Sequence, residues 1–348
     1  MREKSLQAGA GVIQCRDPAG ESFIQPFIRG SPSTFFEIMS QRVVLLFAGQ
    51  GAQAVGMGRD LAEAFPAVAE KFARCDEALG FSLTGAMFEG PQHQLTRTSR
   101  CQPALYAHGL ACLDLIRDQV PGLEIAGAAG LSLGEFTAHA AAGTFDFETG
   151  LALVAKRGRF MEEATNTTAG GMAAMIGGDE SAVRELAAEC GVDVANFNSP
   201  GQIVLSGPKE GIARAVAGAK GRGIKLAKEL DVAGAYHSRL MQSAQDQLAV
   251  ELAGVAIQTP RVPVVCNFEA RAVSDPADIR RTLECQVTGS VRWEESMRVF
   301  LAQGETTFLE LGPGGVLGGL MRRIEKSATV ISVENVPTLE SAVAALRG

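Results

Sequence analysis

Ser132 stands in Gly130-Leu131-Ser132-Leu133-Gly134-Glu135, a G-x-S-x-G pattern that sets up a serine as a nucleophile. The small, apolar run Ile125–Ala129 before it suits a buried strand, and Phe136–Ala142 after it suits a helix. The turn between them is too tight for side chains at Gly130 and Gly134. It lifts Ser132 clear of the sheet, at the positive end of the helix dipole. The backbone N–H of Leu133 then faces a substrate and can donate to an oxyanion. A serine hydroxyl is a poor nucleophile until a base takes its proton. Of the four histidines, His108 reads as a packing residue near the middle of a helix and His93 as exposed in a polar stretch. His139 follows Ser132 by seven residues on the same helix and is badly placed to reach back. His237 is left as the candidate base, and an ordinary pKa near about 6.5 matches it to proton transfer at neutral pH. The competing reading of the pentapeptide is a tight strand-to-helix turn with an exposed serine.

Two further stretches carry chemistry. Ala48–Gly58 is a Gly-rich loop, but it lacks the Lys-Ser/Thr of a phosphate loop and its glycines do not fit G-x-G-x-x-G. With Gln50 and Gln53 in so tight a turn, it suits backbone N–H groups aimed at a carbonyl oxygen. Lys156–Glu163 contains Arg157 and Arg159, which residues two apart on a helix place on different faces. One can face inward towards a substrate carboxylate, while an arginine on a helix is ordinarily solvated.

The elements that must position these residues follow from periodicity and breakers. A buried strand is predicted at Arg42–Phe47 and helices at about 59–79, 102–118 and 147–165. Strands and helices alternate as β-α-β-β-α-β from Gly171 to Leu230, the ferredoxin-like split pattern. Beyond it, strands are predicted at Val262–Cys266, Thr307–Leu311 and Val330–Val333. Helices are predicted up to about 253, at 276–286, 293–303, up to about 325, and at 338–346. The expected class is α/β, with a large catalytic domain made of 39–167 and 233–348, interrupted by a small subdomain at 168–232. A cleft between the two is a natural ligand site. Residues 1–38 mix charge, Gly and Pro without a period and read as a flexible tail, with Met39 a plausible alternative start.

Composition narrows the function classes. A net charge of −7 gives no bulk attraction to nucleic acid. The 7 cysteines are scattered singly, with no C-x-x-C and no zinc spacing, which favours reduced thiols in a cytoplasmic protein and no metal. No apolar run reaches membrane-spanning length and no signal-peptide core is seen at the N-terminus.

The pieces together resemble the malonyl-CoA:acyl-carrier-protein transacylases of fatty acid synthesis and the related acyltransferase domains of polyketide synthases. The resemblance runs from about Arg42 to Arg323. Phe47-Ala48-Gly49-Gln50-Gly51-Ala52-Gln53 is similar to the family's F-P-G-Q-G-S-Q loop, and Gln102-Pro103-Ala104 to its Q-P-A helix start. Gly130–Glu135 resembles G-H-S-L-G-E, and Arg157-Gly158-Arg159-Phe160-Met161 resembles R-G-x-x-M. Ala195–Pro200 with Ser206-Gly207, Gly234–Ser238, Val291-Arg292-Trp293 and Glu310–Gly314 complete the series in the family's order.

The resemblance implies a hydrolase-like core with a parallel sheet and a nucleophile elbow, plus an inserted ferredoxin-like subdomain. It implies Ser132 as nucleophile, His237 as base and then acid, and the backbone N–H groups of Gln50 and Leu133 as the oxyanion hole. Arg157 becomes the clamp for the free carboxylate of malonyl. Gln286 becomes the residue whose carbonyl orients the histidine, and Asn196 and Asn198 line the site. No cofactor is implied beyond the coenzyme A thioester that serves as substrate. The implied partners are malonyl-CoA and an acidic acyl carrier protein, and a monomer is the family default. Leu131 replaces the family's usual His, and Ala48 and Ala52 replace Pro and Ser. Tyr236 resembles the bulky aromatic of malonyl-selective members. Lys220–Lys228 or Arg322-Arg323 would meet the carrier. The alternatives are a discrete acyltransferase of a polyketide synthase, the malonyl loader of a malonate decarboxylase, an acyl-thioester hydrolase, and a non-catalytic carrier-binding module.

Overall fold

The computed structural model describes residues 15–16, 22–23 and 42–348. Met1–Met39 form a unit of their own, within which β1 (Cys15–Arg16) and β2 (Ser22–Phe23) pair antiparallel. The tail expected over 1–38 otherwise lies outside the described residues.

The second unit, Ser40–Gly348, contains two sheets. The first is built from β3 (Arg42–Phe47), β4 (Glu124–Gly130), β9 (Val264–Val265), β10 (Ala272–Val273), β11 (Thr307–Leu311) and β12 (Thr329–Val333), in the order β10-β9-β4-β3-β11-β12. All neighbours run parallel except the edge strand β10. Such a sheet is covered on both faces, which is why β3 is an unbroken apolar run. Val43, Leu45 and Phe47 enter one core while Val44 and Leu46 enter another on the opposite face. The neighbouring β4 is instead made of small residues. A Cβ on Gly127 would lie 2.6 Å from the Phe300 ring, so the helix Trp293–Ala302 packs onto bare backbone there.

The second sheet is antiparallel throughout. β5 (Gly170–Ile176), β6 (Asp193–Ser199), β7 (Gln202–Pro208) and β8 (Leu226–Glu229) lie in the order β6-β7-β5-β8. The helices Glu180–Cys190 and Lys209–Gly218 complete the β-α-β-β-α-β order. Ala173, Met175, Phe197 and Leu205 form a separate core with Val183, Leu186 and Ile212 of those helices. The alternate residues Met172, Ala195 and Val204 belong to the core of the large sheet, so this sheet uses both faces.

Several boundaries differ from the sequence reading. The helix predicted at 59–79 is two helices, Arg59–Ala64 and Pro66–Leu79. Phe65 between them is extended and Pro66 has no N–H to continue the ladder. The helix predicted from 102 begins at Thr98, and Pro103, one turn in, forgoes the N–H that would otherwise bond to the Ser99 carbonyl. The strand predicted at Val262–Cys266 shrinks to two residues because β4 offers β9 only the pair Ala128–Val264. Helices Leu83–Phe88 and Gln92–Leu95 and strand β10 have no counterpart in the sequence reading; each is too short to show a period.

Candidate active site

The site grows from the turn between β4 and the helix Leu133–Ala141. A Cβ on Gly130 would fall 2.0 Å from the backbone of Gly134, and one on Gly134 would fall 2.2 Å from the Phe47 carbonyl oxygen. Neither position admits a side chain, so the two glycines are what let the helix start against the ends of β3 and β4. Ser132 takes the strain of the turn with φ 55°. Asn267 straps it: its Oδ1 accepts from Ser132 N–H at 2.7 Å and its Nδ2 donates to the Gly130 carbonyl at 2.8 Å.

The structure brings Ser132, His237, Arg157 and Gln286 together from four separate segments. His237 Nε2 lies 2.7 Å from Ser132 Oγ. Its Nδ1 faces the carbonyl oxygens of Gln286 at 2.8 Å and Gly289 at 3.2 Å. Two acceptors there place the ring proton on Nδ1 and leave the Nε2 lone pair for the Ser132 hydroxyl proton. Burial lowers the His237 pKa to about 4, the Arg157 cation pushes the same way, and the two carbonyls act against them. The imidazole is therefore neutral, and able to accept a proton, throughout the neutral range. Like Ser132, His237 is held at positive φ, 56°.

Arg157 is 1% exposed, and Arg159, on the other face of the same helix, is exposed. Its Nη1 donates to Gln102 Oε1 at 2.9 Å, and its Nη2 to Gln286 Oε1 at 2.7 Å and Ser132 Oγ at 3.1 Å. Its Nε is buried without a partner. The guanidinium pKa falls to about 10 through burial, with the Glu135 charge opposing, so Arg157 stays a cation at neutral pH. Glu135, three residues past the nucleophile, accepts from Gln286 Nε2 and from Asn267 N–H, each at 2.8 Å. Burial lifts its pKa to about 7 against those two bonds and the nearby Arg157.

A cavity of about 280 Å³ opens over Ser132 and His237, walled by Leu131, Tyr236, Asn196 and Asn198 together with Gln50, Gln53, Met172 and Val204. Its walls come from the antiparallel sheet, the turn after β4 and the loop after β3. The Tyr236 hydroxyl bonds to Thr98 Oγ1 at 2.6 Å, and Gln50 Nε2 donates to Thr98 Oγ1 at 3.4 Å. The backbone N–H groups of Gln50 and Leu133 donate to no group among the described residues. A larger groove of about 590 Å³, lined by Arg97, Arg100, Lys156 and Arg159, contains neither Ser132 nor His237. His108 and His139 are buried and bonded to Glu334 and Thr144, and His93 is exposed.

Sequence reasoning did not single out Gln102 as an arginine partner, Asn267 as the strap of the turn, or Glu135 as the partner of Gln286. Gln102 and Glu135 did lie inside recognised motifs. Asn267 follows a two-residue strand with no pattern around it.

A serine hydroxyl hydrogen-bonded to a neutral imidazole, with open N–H donors and a buried guanidinium beside it, is equipped to take up an acyl group that bears a carboxylate. Comparison with known proteins agrees, since the acyl transferase domain family matches residues 44–345. The chain belongs to the acyl transferase family. The malonyl CoA-acyl carrier protein transacylase of Bacillus subtilis (strain 168) is 39% identical over 311 residues, covering 88% of this chain and 98% of that protein. The solved structure of the malonyl CoA-acyl carrier protein transacylase from Coxiella burnetii superposes with a TM-score of 0.86 at 34% identity, covering 89% of this chain and 99% of that one. A malonyl-transacylase solved in complex with a type II polyketide synthase acyl-carrier protein superposes with a TM-score of 0.84 at 36% identity, over 88% of this chain and 100% of that one. The protein is thus an acyltransferase enzyme of α/β class, with one parallel and one antiparallel sheet. Among the described residues no helix is long and apolar enough to cross a membrane.

Proposed function

We propose that this acyltransferase moves a malonyl group from coenzyme A to the phosphopantetheine thiol of an acyl carrier protein through an ester on Ser132, supplying fatty acid elongation. The observation that carries the reading is the Arg157 guanidinium 3.1 Å from the nucleophile oxygen, fully buried and with Nε unpartnered. A free carboxylate on the acyl group is what such a donor set accepts, and an arginine offers it a two-pronged contact.

In acylation, His237 Nε2 takes the Ser132 proton as Oγ bonds to the thioester carbon. The carbonyl oxygen becomes an oxyanion held by the N–H groups of Gln50 and Leu133. The carbon–sulfur bond then breaks, and the leaving thiolate takes the proton from His237. The carrier thiol repeats the sequence in reverse and leaves with the malonyl group. A thiolate leaves easily, so a dyad oriented by the Gln286 carbonyl serves without an aspartate. The reaction asks for no group beyond the thioester and the accepting carrier thiol, and one chain supplies the whole site.

The strand order β6-β7-β5-β8 with two helices on one face supports reading 168–232 as a ferredoxin-like insert in a hydrolase-like domain of 39–167 and 233–348. Asn196 and Asn198 then reach the cavity from the insert, and Tyr236 adds bulk that favours malonyl over a branched homologue. Of the two basic stretches, the helix carrying Arg322 and Arg323 suits the acidic carrier better. Its Val316 and Leu320 line the cavity, and Arg323 bonds to the cavity residue Gln202 at 3.1 Å. Arg222 of the other stretch is tied to Glu185 and Glu189. The relative complexed with a polyketide carrier supports a second reading, in which the same reaction serves a polyketide synthase.

Intact mass after mixing with malonyl-CoA, followed by peptide mapping, tests the reading. A malonyl adduct on Ser132 that passes to carrier thiol, and is missing in Ser132→Ala, is expected. Rapid loss of the adduct to water, or equal labelling by acetyl-CoA, would refute it.

A further inference from the structure

Glu135 is wholly buried three residues past the nucleophile, and the transfer chemistry gives it no substrate atom to touch. Taking a carboxyl out of water is costly unless hydrogen bonds compensate. Here one oxygen, Oε2, receives both of them, from the Gln286 side chain and the Asn267 backbone, while Oε1 receives none.

The Gln286 amide has two N–H donors and one carbonyl. Its Nε2 donates to Glu135 and to the Ser132 carbonyl, the latter at 2.9 Å. With both donors spent, Oε1 must point at Arg157 Nη2, where it lies at 2.7 Å. A flipped amide would set oxygen against the carboxylate and the Ser132 carbonyl, and N–H against the guanidinium. Arg157 in turn is held by neutral oxygens of Gln102, Gln286 and Ser132. The sense of the Gln286 amide therefore decides whether the guanidinium has an acceptor at this point.

We infer that Glu135 is a positioning residue for acyl selection: through the Gln286 side chain it holds the Arg157 guanidinium beside Ser132 before the substrate arrives. The inference rests on the clamp role given to Arg157 above. A guanidinium already aimed costs no reordering when the carboxylate binds. An acetyl group has nothing to place there. The second arm of Glu135, through Asn267 to the elbow, serves any acyl group equally. The malonyl-to-acetyl ratio of kcat/KM thus reports the Gln286 arm alone.

The test uses the full chain and compares wild type with Glu135→Ala, Glu135→Gln, Gln286→Leu and the double variant Glu135→Ala/Gln286→Leu, following acylation by malonyl-CoA and by acetyl-CoA. Glu135→Ala and Gln286→Leu should each lower the malonyl-to-acetyl ratio about tenfold, the scale of one lost hydrogen bond to a charged group. The double variant should lower it no further. Glu135→Gln should keep the ratio within about threefold, because its amide oxygen can accept both bonds. A folded Glu135→Ala that keeps the ratio, or that loses both substrates equally, overturns the inference. If Glu135→Ala does not fold, an unchanged ratio in Gln286→Leu or a collapsed one in Glu135→Gln overturns it just as directly. A wild type that takes no malonyl overturns the proposed function and this inference together; a wild type that takes it with unaltered variants overturns only the inference.

Discussion

Replacing Arg157 by Ala should collapse the preference for an acyl group with a free carboxylate. In a malonyl ester the carboxylate carbon lies about 4 Å from the ester oxygen, by standard bond lengths. Arg157 Nη2 lies 3.1 Å from that oxygen in the free enzyme, so the two charges meet without rearrangement of the backbone. Opposite charges at that range attract by about 4 kcal/mol at the effective dielectric of buried protein sites. Desolvating the carboxylate takes back part of this. Between about 2 and 3 kcal/mol remains, which is roughly 30- to 150-fold in malonyl kcat/KM. Acetyl transfer should change far less. Gln102, Gln286 and Ser132 already partner the guanidinium, so an acetyl group does not face a bare cation in the wild type.

The same substitution removes a positive charge that helps hold His237 down to about 4. The base must be neutral to act, so activity is lost as pH falls through its pKa, and that acid limb should move to higher pH in Arg157→Ala. Rates of adduct formation by intact mass, with malonyl-CoA and acetyl-CoA from pH 4 upward, read both effects. A malonyl-to-acetyl ratio within threefold of wild type, with an unmoved acid limb, would refute the clamp.

Gly134→Ala should cost about 1–3 kcal/mol or more in urea unfolding and abolish the adduct, because its Cβ meets the Phe47 backbone at 2.2 Å; a stable, active variant would show that the turn has slack. Stability should fall steeply as pH drops from about 6.5 towards 4. Burial lowers His108, His139 and His237 to about 4, 3 and 4, so the unfolded chain binds protons that the folded one refuses. Glu135 acts in the opposite sense. Its pKa is raised to about 7 in the folded state, so its contribution is present below about 4.5 and lost as pH rises through 7. Three histidines against Glu135 and Glu310, whose carboxyl burial also raises, leave a net of at most about two protons, or about 2.7 kcal/mol per pH unit at the steepest. Equal urea midpoints at pH 7 and pH 5 would refute this.

The sequence by itself determined the parts whose chemistry is local. The G-x-S-x-G turn, the apolar run of β3 and the alternation of strands and helices from Gly171 to Leu230 follow from spacing over a few residues, where a wrong type would clash or expose apolar surface, whereas spacing put Arg157 and Arg159 on different faces without saying which turns inward. The motif resemblance ordered these parts into one acyltransferase. Only the tertiary structure decided what each polar group touches. Ser132 and His237 are 105 positions apart, Arg157 and Gln286 are 129 apart, and Asn267 bonds to Ser132 across 135. Hydrogen bonds of that kind leave no period in a chain, since a buried amide needs only the right neighbour in space. The same reason hides Glu135. Its three-residue distance from the nucleophile is visible in the sequence, but its use depends on Gln286 and Asn267 arriving from segments that no pattern joins to it.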